Sequence, residues 1–315
     1  MSSIDAGAMR AFLSQSISSL NKNKLNGLMA ELELRRYLDT LGFGQQVSVG
    51  GWIARNTGEG RFGSETVVLF PQPIMVDQHY EAGRATPIAS HGLHTICATF
   101  RQIGIRSFYC IPSVELQNDT RSIFWQAKEL GIPADHPPLP LSTCFDGFER
   151  RGRAYNYLRY KTDASVIPID FVPEEFTKEH LRVAASNEFM AEISDVDGVF
   201  WGQQYTYPLE IKEKTPAFDR RLGHYFGLDV GPFVKLAYYA AKRGNLHSLF
   251  IVREIGNVDT RELVAWRYIT FDHLAQFASW VQSSGGKNMQ GGASSVVKIP
   301  MSEFSLLNAD ALRSL

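Results

Sequence analysis

The sequence predicts an α/β protein, with a mixed central β-sheet flanked by helices and a large N-terminal α/β elaboration. Three observations carry this expectation. From residue 166 onward, helical and strand patterns follow one another in the order α-β-β-α-β. A separate set of helices and strands fills residues 1–165. Between them, residues 133–140 of "PADHPPLPL" hold four prolines, which disfavour regular structure, and "CFDGFERRGR" continues the irregular stretch. The expected division is therefore an N-terminal region, 1–165, and a C-terminal region, 166–315.

Residues 5–20 and 25–41 carry helical periodicity. In the second, Asn23 is a candidate N-cap, Leu25, Leu28, Met29 and Leu32 form an apolar stripe, and Gly42 ends it. "QQVSVGGWIAR" and "ETVVLFPQPIMV" are expected as strands. Between them, Gly58, Gly60 and Gly63 spell the G-x-G-x-x-G of a phosphate loop. That loop needs a helix after it, whereas strand-like sequence lies on both sides here, so a hairpin turn is expected. Residues 90–103 are expected as a helix, "RSFYCIP" as a buried strand, and "TRSIFWQAKELGI" as a helix stopped by Gly131 and Pro133. In the C-terminal region "DFVPEEFTKEHLRVAASNEFMAE" is helical, and "ISDVDGVFW" and "TYPLEIKEK" are strands. "GLDVGPFVKLAYYAAKRG" is a helix with Pro232 in its first turn, Lys242 and Arg243 in its last, and Gly244 past its end. "LHSLFIVREI" and "ELVAWRYIT" are strands, and "FDHLAQFASWVQ" is a helix with Leu274, Phe277, Ala278 and Val281 on one face.

Composition narrows the function classes. Hydrophobic residues make up 44% of the 315, enough for a substantial core. No apolar run approaches the roughly 18 residues of a membrane helix. The N-terminus lacks the basic and apolar regions of a signal peptide. Three cysteines without a C-x-x-C pair fit a reduced, cytoplasmic protein. No P-loop exists, so no nucleotide cofactor or motor activity is expected. His91 and His94 are too isolated for a zinc site. The net charge is −1, so a nucleic-acid partner would have to be met by a local concentration of positive charge.

The chemistry concentrates in "SDVDGVFWGQQYTYPLEIKEK" (194–214). Residues two apart on a strand share a face, so Asp195 and Asp197 are expected to point together, as are Glu210 and Lys212. If the two strands pair, Asp197, Glu210 and Lys212 converge. Close carboxylates suit a hard cation with oxygen ligands, and a neighbouring lysine can orient water or offset phosphate charge. The alternative is an acidic turn followed by a surface Glu-x-Lys on an edge strand.

Asp197-Gly198, then Glu210-Ile211-Lys212, resembles the PD-(D/E)XK nuclease motif, found in most type II restriction endonucleases; Val196 stands where that family often has proline. The resemblance covers some 60 to 80 residues. It implies a restriction-endonuclease-like core, Mg2+ held by Asp197, Glu210 and the carbonyl of Ile211, and Lys212 positioning the attacking water. It also implies sequence-specific cleavage of double-stranded DNA by a homodimer. Glu31, Glu188 and Asp195 are candidates for an auxiliary acid. A repair, junction-cleaving or phage-defence nuclease, or a non-catalytic DNA-binding protein, are the alternatives.

Positive charge collects in "RRGRAYNYLRYK". Read as a strand from 154, it puts Tyr155, Tyr157, Arg159 and Lys161 on one face, with Arg150, Arg151 and Arg153 leading in, a pattern suited to phosphate contact and stacking. Lys214, with Arg220 and Arg221, forms a second basic cluster. The glycine-rich stretch 283–295, with Lys287, is a candidate DNA-contacting loop.

Overall fold

A computed structural model describes residues 2–80, 89–132, 136–153, 155–242, 244–284 and 295–315. The chain is mixed α/β and divides into two compact units, residues 1–32 with 48–196, and 33–47 with 197–315. The division falls at 196/197 rather than at 165/166.

The first unit opens with α1 (Ala6–Ser16), whose Asp5 cap accepts a hydrogen bond from the Ala8 N–H at 2.7 Å and which buries Met9, Phe12 and Leu13 along one stripe. Helix α2 (Lys22–Thr40) begins here and runs on into the second unit. Its cap is Asn21, whose side chain accepts from the Lys24 N–H, two residues before the expected Asn23. Strands β1 (Gly51–Asn56) and β2 (Thr66–Pro71) form an antiparallel hairpin, with Gly60 and Gly63 in the left-handed region that the turn requires. The glycines thus serve a hairpin and not a phosphate loop. Helix α3 (His91–Gln102) is capped by Ser90. Strand β3 (Arg106–Val114) lies parallel to β2, then come β4 (Ile123–Glu129), β5 (Leu139–Pro140), α4 (Val172–Glu188) and β6 (Ala191–Val196). The sheet order is β5-β4-β3-β2-β1-β6.

Two expectations are corrected here. The segment 123–129 is a strand, not a helix: Ile123, Trp125 and Ala127 are buried while Phe124 is exposed, a two-residue period overriding the helix-forming composition. Residues 166–196 belong to the first unit, because α4 packs on α1 through an edge-on Phe12–Phe176 contact and β6 pairs with β1.

The second unit contains β7 (Gly198–Trp201), β8 (Thr206–Lys214), β9 (Ala217–Asp219), β10 (Gly223–Asp229), α5 (Val230–Ala240), β11 (Leu249–Ile255), β12 (Leu263–Thr270), α6 (Phe271–Phe277), β13 (Ser283–Ser284), β14 (Ser295–Pro300), β15 (Ser305–Leu306) and α7 (Ala309–Ser314). One sheet is mixed, in the order β15-β12-β11-β8-β7, with β11 parallel to β8 and the other pairs antiparallel. The second has the order β13-β14-β10-β9. Phe226 and Leu228 of β10, Leu236 of α5, Phe250 and Val252 of β11, and Leu274 of α6 share one core. Helix α6 is shorter than expected: Ala278 turns extended, Ser279 bonds to the Lys298 carbonyl, and Val281 is left 80% exposed. Arg243 and the glycine-rich stretch from 285 to 294, Lys287 included, lie outside the described residues. Among the described residues no helix is long and apolar enough to cross a membrane.

Candidate active site

The expected strand "ISDVDGVFW" is two strands. β6 ends at Val196 and β7 begins at Gly198, leaving Asp197 between them. Asp195 sits on β6 opposite Trp52, in the sheet of the first unit. The shared-face argument for Asp195 and Asp197 therefore fails, because no single strand carries both.

The pairing that matters is β7 with β8. Gly198 lies opposite Leu209, so continuing the antiparallel register by one residue puts Asp197 across from Glu210. Both are buried, at 1% and 2% exposure. Asp197 is held by the backbone, its Oδ2 accepting the Ile211 N–H at 2.7 Å. In an extended strand the N–H and C=O of one residue face the same side. The Ile211 carbonyl thus opens on the Asp197 side of β8, the side not taken by β11. Glu210 is flanked by two ammonium groups: Lys212 Nζ lies 2.7 Å from Oε1 and Lys235 Nζ 3.2 Å from Oε2. A buried carboxylate needs such partners, since an unpaired charge out of water is costly.

Lys235, on α5, was not singled out from the sequence. The signal was present: it is the only charged residue in the eleven of that helix. Lys214 shares the face of Glu210 and Lys212. Burial pushes its pKa down, and Lys212 adds to this, while Asp229 opposes the shift.

The donor set fits a hard cation. Two buried carboxylates and a main-chain carbonyl supply only oxygen, the chemistry Mg2+ takes. Among the described residues no group of three or more His, Cys, Asp or Glu side chains is placed to hold a metal. The two carboxylates would be its acidic ligands here, with the carbonyl and water completing the shell.

The auxiliary candidates all lie in the first unit. Glu31 is buried and paired with Lys178 at 3.0 Å. Glu188 pairs with Arg150 at 3.1 Å on the surface.

The basic segment is not a strand. Residues 151–153 and 155–163 follow an irregular path, and their side chains are ordered by packing rather than by alternation. Ser186, in the last turn of α4, offers a carbonyl that the helix leaves open; Arg151 Nε donates to it at 2.7 Å and the Tyr157 hydroxyl at 3.0 Å. Tyr155 and Tyr157 meet at 4.7 Å between centroids. The Arg159 guanidinium lies over Tyr155 and Tyr160, and that of Arg182 over Tyr157. Arg153 and Lys161 are exposed.

No family model, no curated protein and no solved structure matches this chain.

Proposed function

We propose that the chain is a Mg2+-dependent endonuclease that hydrolyses phosphodiester bonds of double-stranded DNA. In this reading the second unit is a restriction-endonuclease-like core, and the protein is a cytoplasmic homodimer of the type II restriction class. The observation that carries the proposal is the burial of Asp197 and Glu210 on facing positions of one hairpin, with Lys212 against Glu210.

Asp197 and Glu210 would hold the metal together with the Ile211 carbonyl. Magnesium bound there supplies Lewis-acid polarisation of a phosphoryl oxygen and a more acidic water. Asp197 needs no rearrangement to serve, because the Ile211 N–H fixes one of its oxygens and so its orientation. Lys212, paired with Glu210 at 2.7 Å, would leave it for a water or a phosphate oxygen, where its charge would offset what develops in the transition state. Lys235 remains as a second cation on Glu210 and keeps that carboxylate aligned when Lys212 moves. The cations of the 150–161 segment would contact backbone phosphates.

The test is incubation of purified protein with supercoiled plasmid and magnesium, followed by sequencing of the ends. Cleavage that needs Mg2+ and is lost in Asp197→Asn is the expected result. Symmetric cuts at a palindrome identify a restriction-type dimer. Intact plasmid under all conditions, or undiminished cutting by Asp197→Asn, refutes the assignment.

A further inference from the structure

The first unit holds a cavity of ≈ 530 Å³ walled by Trp52, the basic segment and α4. We propose that it binds a single nucleotide, taken as an aromatic base carried on a phosphate. The inference does not rest on nuclease activity, and every residue it uses lies in the first unit.

The volume is that of a small-molecule site, within the range of about 300–1,000 Å³. The charge of the walls selects an anion. Lys24, Arg151, Arg159 and Arg182 line the cavity against one acid, Glu179. Glu179 is consumed by Arg182, which grips it in a fork at 2.8 and 2.6 Å. Among the described residues no carboxylate pairs with Arg151 or Arg159. They are held instead by a carbonyl and by tyrosine rings and hydroxyls, which fix their position without cancelling their charge. Guanidinium groups kept in this way present planar donor pairs, the geometry that phosphate oxygens accept.

The rest of the wall selects a ring. Tyr155, Tyr157, Tyr160 and Trp52 border the same space. The indole is immobilised by its Nε1, which donates to the Lys178 carbonyl at 2.7 Å, so its orientation is set before any ligand arrives. Aromatic side chains of this kind take bases by stacking. A plain phosphate would leave the Trp52 indole unused, and an uncharged aromatic would leave the arginines unanswered. A nucleotide uses both. It can arrive free in solution or as one unit of a strand, unstacked from its neighbours.

The experiment is titration calorimetry without divalent metal, so that no cleavage can intervene. The probes are the four deoxynucleoside 5′-monophosphates, inorganic phosphate, a single-stranded oligonucleotide and a phosphotyrosyl peptide. A monophosphate or the oligonucleotide should bind about tenfold or more tightly than phosphate, reflecting the stacking contribution. Arg159→Ala and Tyr155→Ala, both at exposed positions, should each reduce that affinity with the circular dichroism unchanged. Weakening with monophosphates alone identifies a free nucleotide; weakening with the oligonucleotide identifies a strand-borne one. The proposal falls if no nucleotide or oligonucleotide binds, if phosphate binds equally well, if both variants bind unchanged, or if the phosphopeptide binds best. Nucleotide binding in a protein that never cuts plasmid would leave this site standing and remove only the nuclease.

Discussion

Strand β8 carries an acid cluster on each of its faces, and the two are built from different cations. Glu213, sharing a face with Leu209 and Ile211, is gripped by Arg253 at 2.9 Å and by Arg261 at 2.7 and 3.0 Å, with Glu33 of α2 completing the ion-pair group. Glu210, on the opposite face, has Lys212 and Lys235. The arginine side chains are 9% and 17% exposed, the lysines 30% and 22%. A guanidinium fork binds a carboxylate rigidly and stays charged under all conditions, whereas an ammonium is a compact charge on a flexible stem that can exchange partners. Arg261 also holds a left-handed backbone, φ 53°, which its multiple side-chain bonds help to stabilise. One face of the strand is thus locked, and the other can change partners. The difference teaches that a buried acid is a poor indicator of chemistry until its cation is known.

The sharpest way to break this comparison is to neutralise one acid on each face. Asp197→Asn and Glu210→Gln should bring plasmid cleavage below detection while leaving denaturation midpoints close to the parent. Glu213→Gln should do the reverse. It leaves two arginines with little water sharing Glu33 as their remaining acid, which costs up to about 3 kcal/mol of stability, and cleavage by the folded fraction should persist. Urea titration beside the plasmid assay reads both effects. A folded but inactive Glu213→Gln with an active Glu210→Gln would exchange the roles of the faces.

The Glu210 face was legible in the sequence because Glu-Ile-Lys on a strand needs only the two-residue period to put both charges on one side. The Glu213 face was not, since Arg253, Arg261 and Glu33 come from distant segments and no local pattern joins them. The same contrast holds for the fold. Helices α1 to α3 could be read from apolar spacing, though the cap of α2 was placed two residues late, and the β1–β2 hairpin from its glycines. Strand β4 was misread because Gln126-Ala127-Lys128-Glu129-Leu130 has helix-forming composition; its strand character comes from pairing with β3. The break at Asp197 was invisible for a related reason. Nothing in "ISDVDGVFW" says that its two halves pair with β1 and β8 in separate sheets.

The two lysines divide the Glu210 face further. Lys212→Ala should lower the cleavage rate by about 10²- to 10³-fold, the scale of losing one electrostatic group from a transition state. Lys235→Ala removes only the partner that aligns Glu210, and its loss should be nearer the 10- to 100-fold of groups that orient metal ligands. Single-turnover rates at saturating magnesium compare them. Equal losses would mean that both ammonium groups reach the phosphate.

On the basic segment, exposed cations are expected to act additively and weakly. Arg153→Ala with Lys161→Ala should flatten the dependence of log affinity on log salt by about 0.9 for each phosphate no longer neutralised. Binding to duplex DNA at several salt concentrations, in calcium to prevent cutting, measures this. An unchanged slope makes both residues ordinary surface cations.

The last prediction concerns what burial does to a carboxylate that, among the described residues, has no ion pair of its own. Glu175 on α4 is such a group: its neighbour Lys178 is already engaged by Glu31 at 3.0 Å. Burial raises its pKa from 4.5 to about 7, with Lys178 and Lys24 opposing only in part. A pKa raised on folding contributes stability that is complete below the unfolded value of 4.5 and is lost as the pH climbs through about 7. The loss amounts to about 3 kcal/mol. His180, five residues along the same helix, has the opposite sign. Burial lowers its pKa to about 4, the bond to the Thr120 carbonyl opposing this only in part, and the Trp125 indole donates to the ring's Nδ1 at 2.9 Å. Its contribution is present above pH 6.5 and lost as the pH falls through about 4. The two overlap in the wild-type pH curve, so the variant Glu175→Gln separates them. It mimics the protonated acid, and should gain stability over the parent at about pH 8 while matching it at about pH 4. Urea denaturation at the two pH values gives the difference directly. Equal effects at both would show that Glu175 does not titrate on unfolding, and that burial without an ion pair does not by itself shift this carboxylate.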